Sequence, residues 1–118
     1  DGPALDARFV GRNHHRVVGT WETTCVVTEC TPHRSFGWAV GDPGFPSARW
    51  RFDLDPLVGG GTRLRQWMCM GPAPSGLTPA IEAMPDKEER IIARRLDEHR
   101  ANMAATVAGI KELAESAP

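Results

Sequence analysis

The sequence predicts an α+β fold in which a curved antiparallel sheet of about five strands is followed by one long C-terminal helix. Three observations carry that expectation. Up to about Met70, apolar and polar residues alternate in short, tryptophan-bearing segments separated by turn-forming residues, the period of half-buried strands. From about Asp86 to Ser116, apolar residues recur every three or four positions, the period of an amphipathic helix. Between them, residues 71–85 are rich in Pro and Gly and read as a loop. The organisation is a single domain over residues 1–118, with the sheet in 1–70, the loop in 71–85 and the helix in 86–116.

Each element follows from local pattern. Ala7 to Gly11 is a short apolar segment, and Arg12-Asn13-His14-His15-Arg16 reads as a polar, turn-like cluster with solvated histidines. From Val18 to Thr31, Trp21, Thr23, Cys25 and Val27 share one face while Glu22, Thr24, Val26 and Thr28 share the other. Cys25 and Cys30, five positions apart on this strand, leave opposite faces and do not pair within it. Thr31-Pro32-His33-Arg34 makes a turn. Phe36, Trp38 and Val40 then alternate with Ser35, Gly37 and Ala39 until Asp42-Pro43-Gly44 closes the strand.

Trp50, Phe52 and Leu54 oppose Arg49, Arg51 and Asp53, and Gly59-Gly60-Gly61 leads into a last strand, Thr62 to Met70. There Leu64, Gln66 and Met68 share a face opposite Arg63 and Arg65. Trp67 is out of phase: either a bulge re-aims it or it covers the other surface. Within the loop, Thr78 to Met84 suits one helical turn, with Thr78 as cap and Pro79 in the first helical position. Asp86 and Glu89 form an Asp-x-x-Glu start for the long helix.

Composition narrows the function. A length of 118 residues supports one core, and a net charge of -1 gives no field to draw nucleic acid or an anionic membrane surface. No apolar run approaches the ~20 residues of a membrane span, and cytoplasm is the expected compartment. The Cys and His residues lack zinc-site spacing, so neither metal nor cofactor is expected. Gly59-Gly60-Gly61 is a hairpin loop rather than a phosphate cradle, and no Ser/His/Asp elbow or paired-carboxylate motif stands out. Arg49, Arg51, Arg63 and Arg65 form either a solvated face paired with Asp53 and Glu22 or a phosphate site.

A twisted meander curls around whatever lies on its apolar face, and one helix does not fill the concavity. The expected walls are Trp21, Phe36, Trp38, Trp50 and Phe52, with Cys25, Leu64 and Met68 beside them on the strands. The helix contributes Met103 and Ile110. Thr23, Gln66, His99 and Thr106 are the polar groups on the same side, and apolar walls with sparse polar groups are the makeup of small-molecule sites. The same tryptophans equally suit a packed core, and the methionines suit gap-filling. His99 is either a satisfied helix-face histidine or a general base. Cavity size decides among these.

The runs Phe9-Val10-Gly11-Arg12-Asn13, Trp21-Glu22-Thr23-Thr24-Cys25-Val26-Val27, Phe36-Gly37-Trp38-Ala39-Val40, Ala48-Arg49-Trp50-Arg51-Phe52 and Gly60-Gly61-Thr62-Arg63-Leu64, in this order and spacing, resemble the SRPBCC superfamily. This is the START-like, polyketide cyclase/dehydrase and lipid-transport group, and the likeness is strongest to its actinobacterial members. The resemblance implies the helix-grip fold, a sheet wrapped on a long C-terminal helix around a hydrophobic cavity. It also implies a first strand and two short helices ahead of the Gly-Arg-Asn segment, which this chain begins too late to include; a neighbouring chain, as in a homodimer, is one way to supply them. The family has no universal catalytic set. The expected function is binding or transport of a hydrophobic small molecule, a lipid, polyketide or aromatic metabolite, between sheet and helix. One alternative is a cyclase/dehydratase in which His99, Gln66 or Thr23 moves protons or polarises a carbonyl; another is a protein-interaction domain.

Overall fold

The structure, a computed structural model, describes residues 4–116. It contains β1 (Arg8–His15), β2 (Gly19–Thr31), β3 (Ser35–Asp42), β4 (Phe45–Pro56), β5 (Thr62–Met70), α1 (Thr78–Ala83) and α2 (Glu88–Ser116). The chain forms two compact units, one running through Ala73 and one from Pro74.

In the first unit the strands pair antiparallel in sequence order, β1-β2-β3-β4-β5, giving a curled meander with β1 and β5 as its edges. Short turns enforce this order. Arg34 N–H donates to Thr31 O at 3.0 Å, with His33 in the left-handed region at φ 65°. Gly44 N–H donates to the Asp42 carboxylate at 2.9 Å, the side-chain turn that Asp favours. The β3–β4 register shifts between Val40 and Gly41, where Gly41 has φ 84°, a conformation cheap only for glycine.

β1 is longer than its sequence suggests. The Arg12 to His15 cluster continues the strand, with Asn13 opposite Trp21 and His15 opposite Gly19. Its polar residues are tolerated because an edge strand pairs on one side only. The turn comes later, where His15 Nδ1 accepts the N–H groups of Val17 (3.1 Å) and Val18 (3.4 Å).

β2 carries a bulge between Val27 and Glu29, which inserts Thr28 as an extra residue and reverses the alternation beyond it. Cys30 consequently pairs with Phe36 and shares the face of Cys25, contrary to simple period-two counting. All three cysteines are thiols. The β4–β5 ladder, by contrast, runs unbroken from Ala48 opposite Met70 to Pro56 opposite Thr62. Trp67 therefore lies opposite Arg51, on the face away from Trp50 and Met68.

The buried core of this unit is small and central. Cys25, Val26, Val27 and Ala39 are almost inaccessible, and Pro46 joins them. Because Val26 and Ala39 point away from Cys25 and Val27, the middle of β2 and β3 is covered on both faces.

In the second unit, Thr78 does not cap α1; its hydroxyl accepts the Ser75 N–H at 2.9 Å, and Leu77 occupies the cap position without a side-chain bond. Pro79 stands in the first turn as its fixed φ allows. Asp86 falls in a 3₁₀ turn, Pro85–Lys87, so α2 begins two residues beyond it, with Glu88 and Glu89 at the positive end of the helix dipole. The half-buried pair Arg95–Glu98 and the exposed pairs Asp97–Arg100 and Lys111–Glu115 follow along α2 at helical spacing. Among the described residues no helix is long and apolar enough to cross a membrane.

Candidate functional site

The register aligns two aromatic rows on one face of the sheet. Val27, Trp38, Trp50 and Met68 form one, and Cys30, Phe36, Phe52 and Gln66 form the next. Trp38 is the hub. Its ring centroid lies 6.0 Å from that of Phe9, 5.7 Å from Phe36, 6.3 Å from Trp50 and 6.0 Å from Phe52. The Trp38 and Trp50 planes differ by only 12°, while Phe9 meets Trp38 edge-on at 69°, both arrangements that the aromatic quadrupole favours.

These rings are not sealed in. Trp21, Phe36, Trp38, Trp50 and Phe52 are all half-buried, as are Leu64 and Met68, whereas Cys25 is fully buried. The register thus brings the strand-borne candidates together on one face. Phe9 and Asn13 belong to it as well, although the sequence reading did not select them. The signal was their even spacing with Gly11, which continues across from Cys25, Thr23 and Trp21.

Polar groups occupy two separate corners. At one, Thr23 Oγ1 accepts from Asn13 Nδ2 at 3.3 Å, donates to Gly11 O at 3.4 Å and lies 3.8 Å from Cys25 Sγ. At the other stands Gln66, whose Oε1 is buried and has no hydrogen-bond partner among the described residues. Leaving an acceptor in that state costs about 1–3 kcal/mol. Thr23 on β2 and Gln66 on β5 are three strand spacings apart, about 14 Å along the sheet surface. The Gln66 row reaches β2 at Cys30, so the two are displaced along the strands as well and do not act on one atom.

No family model matches this sequence, and no curated protein does. Among solved structures, it is similar to a polyketide cyclase-like protein of Corynebacterium glutamicum determined by solution NMR, with 30% identity and a TM-score of 0.62, over 98% of this chain and 69% of that one. The chain belongs to the polyketide cyclase-like SRPBCC family. A curled antiparallel sheet followed by one long C-terminal helix is the α+β order of the family's helix-grip class.

On this family member, the remaining candidates stand on α2. His99, Met103, Thr106 and Ile110 recur at helical spacing along one stripe. Burial, and then the charge of Arg95, hold the His99 imidazole below its usual range, against a smaller opposing effect of Glu98. Thr106 Oγ1 donates back to Asn102 O at 2.9 Å, so its hydrogen is already engaged.

The face of the sheet opposite the aromatic rows is charged. Arg51 bonds Asp53 at 2.7 Å, Arg65 bonds Asp55 at 2.7 Å, and Arg12 lies 3.5 Å from Glu22. The hydrogen bond and charge of Asp53 raise the Arg51 guanidinium above its ordinary value. This is a solvated, ion-paired surface for Arg51 and Arg65, and half-exposed Trp67 lies within it. A surface depression of about 500 Å³ opens elsewhere, beside Asp86, Lys87, Glu89 and Arg90. All four are exposed and hydrophilic, and nothing about them recognises an apolar ligand. Among the described residues no cluster of three His, Cys, Asp or Glu side chains suits a metal ion.

Proposed function

We propose that this protein binds a hydrophobic small molecule, a lipid, polyketide or aromatic metabolite, on the aromatic face of its sheet. The observation that carries the reading is the Trp38-centred cluster: five contiguous rings on one face, each retaining accessible area. Rings held this way offer flat apolar surface already desolvated on one side, so a ligand gains burial without ordering flexible side chains. Native mass spectrometry of protein purified from its host is expected to reveal a bound apolar compound that quenches tryptophan emission. A ligand-free mass, together with no thermal shift across a panel of lipids, polyketides and fused-ring aromatics, would sink the reading.

The polyketide cyclase-like neighbour favours a second reading, an enzyme that shapes a reactive chain on the same face. It requires turnover of a bound compound to depend on Gln66 or His99. Wild-type rates in both Gln66→Ala and His99→Ala would remove these residues from the chemistry.

A further inference from the structure

Of the two polar corners on the aromatic face, Thr23 and Asn13 are hydrogen-bonded to each other, whereas the Gln66 side chain breaks the usual rule that buried polar atoms are paired. Its neighbours along β5 on this face are Leu64 and Met68, and Phe52 stands directly across. An apolar residue would serve stability better at such a position. Trp50, paired with the adjacent Met68, lies on the diagonal from Gln66, within about 7–8 Å by sheet geometry. A ring system resting on Trp50 and Phe52 consequently brings a substituent at its rim to the Gln66 amide.

We propose that Gln66 is the specificity-determining residue of this surface and selects a flat apolar ligand carrying a hydroxyl group at its edge. This rests on the aromatic face being the binding surface. A hydroxyl suits the amide better than a carbonyl or an ether, because it donates to the unpartnered Oε1 and accepts from Nε2 at once. The preference survives rotation of the amide, since the hydroxyl supplies both roles in either orientation.

Isothermal titration calorimetry with three probes of matched shape tests this: naphthalene, 2-methoxynaphthalene and 2-naphthol. The wild-type protein is expected to bind 2-naphthol about tenfold more tightly than 2-methoxynaphthalene, the scale of one buried hydrogen bond. Gln66→Met keeps the chain length and removes both polar ends; it is expected to abolish the preference, so that 2-naphthol and 2-methoxynaphthalene bind with equal affinity. Measurable binding of all three probes to wild type without preference for 2-naphthol would overturn the role of Gln66 and leave the binding surface standing. So would an undiminished preference in Gln66→Met. Failure of every probe to bind would overturn both. Because the wild-type comparison needs no variant, the outcome does not depend on Gln66→Met folding.

Discussion

Trp38 and Trp50 stand directly across from each other on β3 and β4, their ring planes 12° apart and their centroids separated by 6.3 Å. Since Phe9, Phe36 and Phe52 also meet the Trp38 ring, removing it disconnects the cluster. Trp38→Ala is expected to lower stability by about 2–4 kcal/mol, somewhat under the cost in a sealed core because the ring is half-buried. Trp38→Phe keeps the aromatic contacts and is expected to cost less. Urea unfolding measures both, and a loss below about 1 kcal/mol for Trp38→Ala would mean that the cluster does not hold the strands together.

Gly37 lies between Glu29 and Arg51 on the charged face, and a Cβ there would come within 3.1 Å of Trp50 O and 3.3 Å of Glu29 Cβ. The carbonyl belongs to the β4 backbone and cannot step aside alone. Gly37→Ala is therefore expected to destabilise the sheet by about 1–3 kcal/mol, the cost of overpacking. At Gly11 the nearest atom is the Thr23 hydroxyl, also at 3.1 Å, which rotates away at the expense of its own bonds. Gly11→Ala is expected to be the milder substitution in the same unfolding assay, and the reverse order would contradict this account.

Which parts of this architecture were legible in the sequence follows from how local their causes are. The β3–β4 hairpin was plain, because Trp38 and Trp50 alternate cleanly with their neighbours and Asp42-Pro43-Gly44 carries its own turn chemistry. The extent of β1 was not. His14 and Asn13 look like turn residues, and only pairing with Thr20 and Trp21 makes them strand. Nor does any local signal mark the Thr28 bulge, which is fixed by how β2 meets β3 and decides which way Cys30 points. At the candidate site, parity placed the aromatic residues correctly, but the separation of Thr23 from Gln66 depends on strand order and register together.

Trp67 illustrates the same limit, since alternation alone left two orientations open and the unbroken β4–β5 ladder selects the charged face. With 49% of its surface accessible, it is expected to be the tryptophan most readily quenched by iodide. Trp67→Phe should remove that quenchable, red-shifted component and change stability by no more than about 1 kcal/mol. If the variant instead loses the blue-shifted emission, the ring is not on the solvated face.

His99 makes the stability of the fold fall as the solution becomes acidic. Its imidazole is held below the ordinary value by burial and by Arg95, with Glu98 opposing, so the unfolded chain takes up a proton more readily than the folded one. Stability contributed by neutral His99 is present above the unfolded pKa of about 6.5 and is lost as pH falls through and below it. His99→Asn, which cannot titrate, is expected to flatten this decline, and the difference between the two stability curves isolates His99 from the other histidines. Arg95→Gln removes one of the depressing charges and is expected to move the His99 titration upward in an NMR pH series. Parallel wild-type and His99→Asn curves between about pH 5 and 7 would show that His99 titrates alike in both states, and the burial argument for its neutrality would fail.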